Sequence, residues 1–425
     1  MVMSYRAPRG TQDVLGEEVK KWQEVEKLAR EICERYHISE LRTPIFEHTE
    51  VFARGNDASD MVNKEMYTFM DRGERSLTLK PEGTAGLVRA FVEHKLYANP
   101  SSVQRFFYFS PNFRYERPQK GRMRIFHQFG VEFFGEANPY LDLESIMVGL
   151  NLLDEIGVHK YKLVINTLGD AESQAAYKVA LKEHFKPHLD TLCSDCQRRY
   201  EQNPLRMLDC KVDHDHEAMK TAPINLDYLN EESQTYFETL KKTLDEQNIP
   251  YEVDPRMVRG LDYYTHTVYE VISTDENAAA QSTIFAGGRY SHMVEYFGGP
   301  QTDAVGFAVG IERLLIYAEL AGVKFDTGEH VDVFAMPMGQ ESNMQLFKLI
   351  TELRKAGFCA DMDYENKSMK AQFKMVDRTN AKIAMISGGN ELEQGVVNLK
   401  NIETQEQVTV SYEDVVGQVR KWLGK

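Results

Sequence analysis

Length and composition exclude several classes of protein for this chain. It has 425 residues, of which 42% are hydrophobic and 27% charged, as in a globular protein of about two to four domains. That balance excludes a disordered chain, a fibre and a small disulfide scaffold. No apolar run approaches the roughly 18 residues that span a bilayer, so we expect no membrane partner. With no visible secretory signal and five scattered cysteines, we expect a reducing, cytoplasmic location.

The net charge is acidic, but positive charge is concentrated in one segment. Fifty Lys and Arg against 65 Asp and Glu give a net charge of −15, which does not by itself indicate nucleic acid binding. Residues 104–126 nevertheless carry six Lys or Arg and a single acid, Glu116. The distribution of charge therefore matters more than its sum.

Apolar residues at helical spacing predict the first helix. The series is Val19, Trp22, Val25, Leu28 and Ile32. Thr11 and Asp13 lie upstream and offer N-cap oxygens. Residues 42–52 follow as an extended segment, in which Pro44 favours an edge strand or a chain entry.

A strand, a loop, a helix and a long hairpin are predicted next. Residues 76–79 have a strand pattern, residues 80–83 form a loop, and Thr84 is placed to cap the following helix. Residues 103–134 alternate aromatic and polar side chains. This alternation predicts two antiparallel strands joined by a polar loop near residues 117–124.

The remainder of the chain predicts an insertion, a second run of strands and a separate domain. Residues 173–232 are polar and mostly helical, and residues 256–313 return to glycine-rich strands that end in an amphipathic helix. A short polar stretch at residues 321–330 is a plausible linker. Residues 331–425 alternate strand and helix, which predicts an α/β domain with a parallel sheet. Its helices are expected near residues 345–356 and 368–379.

The cysteines leave two interpretations open. Part of a zinc-binding pattern is present in Cys193, Cys196, Cys210, His214 and His216. The second half lacks a matching C-x-x-C or H-x3-H, so we expect reduced thiols on a helical segment and assign no metal ligands. Cys33 and Cys359 lie in apolar periodic runs and are expected in the core.

Because the common phosphate-binding motifs are absent, arginines are the candidates for binding phosphate. The chain has no P-loop, no G-x-G-x-x-G after a strand and no G-x-S-x-G. If phosphate is bound, guanidinium groups must bind it, since they grip phosphate oxygens bidentately and stay charged. The candidates are Arg114, Arg117, Arg122, Arg259 and Arg313. The alternative is that these arginines lie on solvated strand faces.

A second group of polar residues could surround a small cationic or amide-bearing ligand. Its members are Glu82, Gln128, Glu132, Asp262, Tyr263, Tyr264 and Tyr290. Glu132 stands between Val131 and Phe133, and a buried carboxylate without a partner is costly. Glu132 is therefore either turned to solvent or placed to receive a ligand donor.

Seven segments, in order along nearly the whole chain, resemble those of a known family. RTPIFEHTEVF, FRYERPQKGRMRIFHQFGVEFFG and GFAVGIERLL resemble motifs 1, 2 and 3 of the class II aminoacyl-tRNA synthetases. VRGLDYYT, AGGRY, PRGTQD and PEGT are similar to signatures of the histidyl-tRNA synthetases. By this resemblance the chain is identified as a member of that family.

The resemblance implies an α+β fold and a set of partners. Residues 1–325 would form a catalytic domain, an antiparallel sheet flanked by helices with a helical insertion at about 173–232. Residues 331–425 would form an α/β anticodon-binding domain. The implied partners are tRNA(His), L-histidine and a second copy of the chain, joined through motif 1 in a homodimer.

The family's chemistry has two steps, with ATP as a substrate and Mg²⁺ on its phosphates. The histidine carboxylate attacks the α-phosphate and pyrophosphate leaves, and the tRNA 3′-terminal ribose then takes the histidyl group. The resemblance gives Arg114 and Arg259 the catalytic role of clamping the α-phosphate. The implied ATP-binding residues are Arg114, Glu116, Arg122, Phe126 and Arg313. Among them, Arg122 and Arg313 would hold the terminal phosphates, with Glu116 on the adenine amino group and Phe126 stacked on the ring.

Histidine recognition follows from the same resemblance. The implied contacts are Glu82, Gly83, Thr84, Arg114, Gln128, Glu132, Arg259, Tyr263, Tyr264 and Tyr290. Of these, Glu82, Thr84 and Gln128 would meet the α-amino and carboxylate groups. Glu132 and Tyr264 would meet the imidazole, with Tyr290 nearby.

The main alternative is a histidine-binding paralogue that regulates ATP phosphoribosyltransferase and does not aminoacylate tRNA. That paralogue lacks the anticodon-binding domain and has lost the motif arginines, whereas Arg114, Arg259 and Arg313 are present here. A tRNA-binding module without catalysis would have no use for an ATP clamp. A class II enzyme for another amino acid would not need a carboxylate and tyrosines directed at an imidazole.

Overall fold

The computed structural model describes most of the chain and divides it into two compact units. The described residues are 5–53, 61–99, 103–119, 121–260, 262–278, 282–326 and 330–425. The units are Met1–Phe325 and Asp326–Lys425. Parts of three predicted segments lie outside the described residues: Lys120 in the hairpin loop, Leu261 and 279–281 in the strand-rich region and 327–329 in the linker. None of the helices in the described part of the chain is both long and apolar enough to cross a membrane.

The first unit contains a large sheet surrounded by helices. Its helices are α1 (Glu17–Arg35), α2 (Thr84–Glu93), α3 (Pro139–Ile156), α4 (Ala171–Phe185), α5 (Ser194–Gln202), α6 (Glu217–Lys220), α7 (Glu231–Glu246), α8 (Met293–Tyr296) and α9 (Ile311–Leu320). Its strands are β1 (Ser39–Glu40), β2 (Phe46–His48), β3 (Tyr67–Met70), β4 (Ser76–Leu79), β5 (Gln104–Phe113), β6 (Ile125–Gly135), β7 (Tyr161–Thr167), β8 (Tyr251–Val253), β9 (Thr265–Ser273), β10 (Thr283–Tyr290) and β11 (Asp303–Gly310).

Eight strands form the main sheet, in the order β1-β5-β6-β11-β10-β9-β7-β8. The inner pairs are antiparallel, and only the outermost pairs, β1 with β5 and β7 with β8, are parallel. This confirms the predicted antiparallel sheet and the long hairpin. Helices α1, α3, α7 and α9 contribute to the hydrophobic core together with the inner strands. The sheet thus provides a rigid platform for the residues on its other surface.

Two predicted helix caps are wrong. Helix α1 begins after Gly16 without a side-chain cap, and the Thr11 hydroxyl donates to the Pro8 carbonyl at 2.8 Å instead. Asp13 is likewise not the N-cap. Helix α2 begins at Thr84 with Gly83 in the cap position. The Thr84 hydroxyl is used elsewhere, because it donates to Glu132, and a tertiary partner has displaced the local one.

The motif 1 segment is less extended than predicted. Only Phe46–His48 forms a strand, and a 3-10 turn at Thr49–Val51 follows it. Strand β2 pairs with β4, and β4 pairs with β3, in a small antiparallel sheet. The Pro44 prediction is confirmed in one respect, since the strand that follows it lies at the edge of this sheet.

The predicted helical insertion has a core of its own. Helices α4, α5 and α6 lie within it, joined by short turns. Its buried apolar residues include Tyr177, Leu181, Phe185, Leu192, Cys196, Met207 and Cys210. The insertion therefore packs as a small unit on its own hydrophobic cluster.

A buried ion pair joins helix α3 to strand β10. Arg289 and Asp142 are both almost fully buried, and Arg289 donates to the Asp142 carboxylate from Nε at 2.9 Å and from Nη2 at 2.5 Å. Thr267 and Tyr236 donate to the other carboxylate oxygen. A buried charge pair is tolerated when its remaining hydrogen-bonding capacity is also satisfied. This pair fixes the strand that ends in Tyr290.

The second unit, from Asp326 onward, has a five-stranded sheet and four helices in its described residues. Its strands are β12 (Val333–Pro337), β13 (Ala360–Met362), β14 (Ile383–Ser387), β15 (Val396–Asn401) and β16 (Gln407–Ser411). Its helices are α10 (Asn343–Lys355), α11 (Met369–Arg378), α12 (Gly389–Gln394) and α13 (Val415–Leu423).

The prediction of a parallel sheet for the second unit is only partly correct. In the order β13-β12-β14-β15-β16 the first three strands are parallel, whereas β15 and β16 are antiparallel additions. Strands β15 and β16 are joined by a short turn. Such a turn allows only antiparallel pairing, because parallel strands need a longer crossover connection. Cys359 is exposed, contrary to prediction, because the adjacent Phe358 occupies the core; Cys33 is buried as expected.

Candidate active site

A cavity of about 620 Å³ in the first unit brings the predicted site residues together. Every one of them lines it: Glu82, Gly83, Thr84, Arg114, Glu116, Arg122, Phe126, Gln128, Glu132, Arg259, Tyr263, Tyr264, Tyr290 and Arg313. Two further candidates, Arg117 and Asp262, are not part of the described lining. Asp262 accepts a hydrogen bond from Asn203 at the surface instead. The individual roles of the lining residues stay predictions.

Neighbouring strands of the main sheet position these side chains. Arg114 follows β5 directly, while Phe126, Gln128 and Glu132 lie on β6. Next to β6 lies β11, which runs straight into helix α9, and Arg313 is in the first turn of that helix. Groups on adjacent strands are held in register by the hydrogen bonds of the sheet, so their spacing is set before any ligand binds.

The Arg114 side chain is fixed by a hydrogen bond to a backbone carbonyl and by a contact with an aromatic ring. Its Nε donates to the Pro81 carbonyl at 2.8 Å, and its guanidinium carbon lies 5.3 Å from the centre of the Phe126 ring. A guanidinium over an aromatic face gains a cation–π attraction. Because one nitrogen is used for positioning, the other two nitrogens of Arg114 are available to meet a ligand.

Arg122 and Arg313 share one part of the cavity. Arg122 forms an ion pair with Glu116, with 2.7 Å between its Nε and a carboxylate oxygen. Arg313 donates to the Gly121 and Thr283 carbonyls at 3.2 and 3.3 Å. Burial, together with the nearby Arg122 cation, lowers the pKa of Arg313. Because the Arg122 and Arg313 cations repel each other, an anion bound between them would be favoured.

Arg259 is held from both sides by charged residues. Its Nη1 forms an ion pair with Glu270 on strand β9, and its carbonyl accepts a hydrogen bond from Arg206 at 2.6 Å. Burial opposes the charged form of Arg259, but the attraction of Glu270, together with smaller contributions from neighbouring groups, outweighs it and raises the pKa. Arg259 therefore carries a permanent positive charge into the cavity.

The other polar part of the cavity contains two buried carboxylates, those of Glu82 and Glu132. The Thr84 hydroxyl donates to Glu132 at 2.6 Å, and the Tyr290 hydroxyl donates to the second Glu132 oxygen at 2.8 Å. The Tyr263 hydroxyl donates to Glu82 at 3.0 Å. Glu132 is only 2% exposed, so the alternative that it faces solvent is wrong.

Glu132 is held close to its neutral form by its surroundings. Burial is the main cause; the hydrogen bonds from Thr84 and Tyr290 oppose it, the Glu82 charge adds to it, and the net effect raises the Glu132 pKa to about 8. A carboxyl in this condition ionises readily when a hydrogen-bond donor or a cation arrives beside it. Glu132 is therefore suited to a ligand that carries an N–H group.

Glycines allow the close approach of side chains in this region. A Cβ at Gly83 or Gly130 would lie 2.3 or 2.2 Å from the Tyr108 ring, and a Cβ at Gly306 would lie 2.0 Å from Glu132. Each distance is far too short for a real contact, so Tyr108 and Glu132 occupy space that glycine leaves open. Glycine is therefore needed at these positions, because any larger residue would collide with Tyr108 or Glu132.

Sequence reasoning missed Tyr108, Arg206 and Glu270. Tyr108 is buried between Gly83 and Gly130, whereas Arg206 and Glu270 fix Arg259. The alternation of β5 places Tyr108 on the same face as Ser110, but nothing local distinguishes it from a core aromatic. Arg206 lies in the insertion, and its contact with Arg259 spans 53 positions of sequence, which pattern analysis cannot detect.

Gln128 and Glu116, like several other predicted ligand contacts, are already engaged with protein groups. Gln128 accepts a hydrogen bond from Asn112 at 2.6 Å, and Glu116 is paired with Arg122. Gln128 keeps its amide nitrogen as a donor. Glu116 would have to share its carboxylate between Arg122 and a ligand.

The fold and the site together define a class of protein. An antiparallel sheet carries arginines around an anion-sized space, beside a carboxylate pocket, and a separate α/β unit follows. This combination is that of a class II aminoacyl-tRNA synthetase, in agreement with the three motifs.

Comparison with known proteins identifies the family. The sequence model described as "Histidyl-tRNA synthetase" matches residues 10–314, and the one described as "Anticodon binding domain" matches residues 332–422. A histidine–tRNA ligase of Geobacillus sp. (strain WCH70) is 51% identical over 99% of this chain and 100% of its own length. That of Bacillus subtilis (strain 168) is 49% identical over 97% and 98%.

A solved structure agrees with these relatives. The crystal structure of apo S. aureus histidyl-tRNA synthetase is 40% identical and covers 98% of this chain and 100% of its own, with a TM-score of 0.85. The chain belongs to the histidyl-tRNA synthetase family, the ligases that attach histidine to tRNA with ATP as a substrate.

The raised pKa of Glu132 predicts a pH-dependent stability. Its pKa lies above the value of an unfolded Glu, so its stabilising contribution is present below about pH 4.5 and is lost as the pH rises through about 8. Glu132→Gln is neutral at every pH. We therefore expect the thermal midpoint of Glu132→Gln relative to the parent to be several degrees higher at pH 9 than at pH 6.

Thermal unfolding across that pH range provides the measurement. The matched control is Glu136→Gln, an exposed residue just beyond the same strand, for which the difference from the parent should not change with pH. A constant difference for Glu132→Gln as well would show that Glu132 is already ionised when buried.

Proposed function

We propose that this chain activates L-histidine with ATP in the cavity of the first unit and transfers it to tRNA(His). The observation that carries the proposal is that one cavity of about 620 Å³ brings together the four predicted arginines, Arg114, Arg122, Arg259 and Arg313, and two buried carboxylates. The arginines suit a triphosphate, and the carboxylates suit an amine and an imidazole. A cavity of this volume is of the size that holds small ligands.

Activation requires two anions to react with each other. The histidine carboxylate oxygen attacks the α-phosphorus of ATP, the bond to the bridging oxygen of the β-phosphate breaks, and pyrophosphate leaves with the electron pair. Negative charge on the α-phosphate grows in the transition state, and a fixed cation can lower the barrier by a few kcal/mol. Arg114 and Arg259 are assigned this role, since their protein contacts orient them before ATP arrives.

The rest of the nucleotide is assigned to the neighbouring residues. Arg122 and Arg313 receive the terminal phosphates, because they form a repelling pair that an anion relieves. Phe126 lies beside Arg114 and stacks on adenine. Glu116 accepts from the adenine amino group while it remains in contact with Arg122.

Mg²⁺ fits the donors of this cavity. Glu312 carries a carboxylate on the same lining as the arginines, and Mg²⁺ is commonly bound by one or two carboxylates together with phosphate oxygens. This residue would hold the ion. Bound there, Mg²⁺ supplies neutralisation of the triphosphate charge.

Histidine is assigned to the carboxylate part of the cavity. Glu82 and Thr84, with Gln128, meet the α-amino and carboxylate groups, and Gly83 lies between the first two in the same lining. Glu132 accepts from an imidazole N–H, and Tyr264 and Tyr290 enclose the ring beside Tyr263. A site built to hydrogen-bond a polar side chain rejects an analogue without that group by about 10⁴-fold or more, because its own polar atoms are left unpaired.

The second unit is proposed to bind the anticodon region of tRNA(His). The match of an anticodon-binding model to residues 332–422 supports this assignment, and we assign catalysis to residues 1–325, which contain the cavity. The regulatory paralogue, considered above, is disfavoured by that same match and by the arginines lining the cavity. A cytoplasmic location follows from the use of tRNA and ATP.

Arg259→Ala is expected to remove activation while leaving the protein folded. Because a charge-stabilising donor is lost where charge develops, ATP–pyrophosphate exchange with histidine should fall by at least about 100-fold. The matched control is Arg256→Ala, an exposed arginine three residues earlier, which should keep the parent's exchange rate. Near-normal exchange by a folded Arg259→Ala protein, as judged by circular dichroism, would contradict the assignment.

Truncation after Phe325 is expected to separate the two steps. The first unit has its own hydrophobic core and the complete cavity, so histidine-dependent pyrophosphate exchange should persist. Aminoacylation of tRNA(His) should fall at least about tenfold, since the anticodon contacts are lost. Full charging by the truncated protein would show that residues 326–425 do not bind the tRNA.

A homodimer through the motif 1 region is also proposed. The small sheet β2-β4-β3 exposes apolar side chains on its surface: Phe46 is 45% exposed, Phe69 43% and Met70 60%. Adjacent exposed apolar groups of this kind are typical of an interface. The resemblance to the family implies a dimer joined through motif 1, the segment that contains strand β2 of this sheet.

Phe69→Asp is expected to weaken this dimer, since it places a charge within the apolar surface. Sedimentation velocity should show a dimer for the parent and a shift towards monomer for the variant. Tyr140→Asp, at an exposed aromatic outside the small sheet, is the control and should remain dimeric. An unchanged dimer in Phe69→Asp would place the interface elsewhere.

A further inference from the structure

Three cysteines and an aspartate of the insertion converge at one point. This thiol cluster consists of Cys193, Cys196, Cys210 and Asp213. One ligand atom from each residue lies within 4.8 Å of all the others. The histidines suggested by the sequence are directed elsewhere: His214 contacts Lys211 and Asp215, and His216 contacts Thr191. Asp213 thus takes the fourth position that no histidine fills.

The spacing of the cluster repeats a ligand pattern. In the sequence it is C-x2-C followed by thirteen residues and C-x2-D, so each half contributes two ligands separated by two residues. Paired ligands of this spacing are typical of structural zinc sites. The second pair was overlooked in the sequence because its last member is an aspartate.

The distances match a tetrahedral metal ion better than a disulfide. The sulfur atoms of Cys193 and Cys210 are 3.7 Å apart. Two thiolates on one tetrahedral Zn²⁺, each about 2.3 Å from the ion, are separated by about 3.8 Å. A disulfide would require about 2.05 Å.

Local backbone groups lie close to these ligands and orient them. Cys193 is the N-cap of helix α5 and Cys196 lies in its first turn, where the helix dipole favours thiolates. The Asp213 amide donates to the Cys210 sulfur at 3.4 Å, and the Cys193 amide donates to Asp213 at 3.0 Å. Amide donors of this kind fix the orientation of metal ligands.

We propose that the thiol cluster binds one Zn²⁺ ion as a closed, four-ligand structural site. Three thiolates and a carboxylate suit zinc, which accepts sulfur and oxygen donors in a tetrahedron. The ion joins the start of α5 to the segment that ends at Asp213. Arg206 lies between these points in sequence and donates to the carbonyl of Arg259. Zinc therefore closes the loop that carries a positioning contact of the active site.

Metal analysis of the full-length protein tests this proposal independently of its activity. Protein produced with zinc in the medium and purified without chelators should contain about one zinc per chain by mass spectrometry. Cys210→Ser should contain at least about tenfold less. Cys359→Ser, which removes an exposed thiol of the second unit, is the control and should keep the parent's content.

A second measurement keeps the test valid if Cys210→Ser does not fold. Titration of the parent with a mercurial reagent should release zinc in proportion to the thiols modified, and cobalt-substituted parent should show thiolate-to-cobalt charge-transfer absorption. A parent that remains zinc-free after dialysis against zinc and gives no such absorption would overturn the proposal. Peptide mapping that finds a disulfide between Cys193 and Cys210 would overturn it as well.

Discussion

Burial of opposite charges in one cavity is the constraint on which the rest of the first unit depends. Burying the ionisable side chains of Arg259 and Glu132 is costly unless neighbouring groups compensate for the lost hydration. The compensation differs between the two residues. Arg259 keeps its charge through Glu270, whereas Glu132 is shifted towards its neutral form by burial. The cavity is therefore prepared for a ligand that brings phosphate to one group and an N–H donor to the other.

The architecture supplies the rigidity that this arrangement needs. Adjacent strands β6 and β11 carry or lead into residues on both sides of the cavity, so relative positions are fixed by strand register. The buried pair of Arg289 and Asp142 fixes strand β10 to helix α3, next to Tyr290. Glycines at 83, 130 and 306 remove the atoms that would block Tyr108 and Glu132. Preorganisation of this kind reduces the reorganisation required when substrate binds.

The sequence predicted the fold and the members of the site better than their local contacts. Alternating aromatics identified the hairpin, and family motifs pointed to residues that prove to line one cavity. Thr84 was misplaced as a cap because its partner, Glu132, lies 48 positions away. Arg206 and Asp213 gave no signal, since a positioning arginine and an aspartate ligand are unremarkable until the fold brings them to Arg259 and the thiols.

We propose that charge and hydrogen bonding in one cavity select histidine and join it to a nucleotide. ATP–pyrophosphate exchange, measured with the full-length protein against each of the twenty amino acids, tests this most directly. We expect exchange with histidine to exceed that with every other amino acid by about 10⁴-fold or more. Absence of exchange with histidine, or comparable exchange with another amino acid, would show that this cavity does not select histidine.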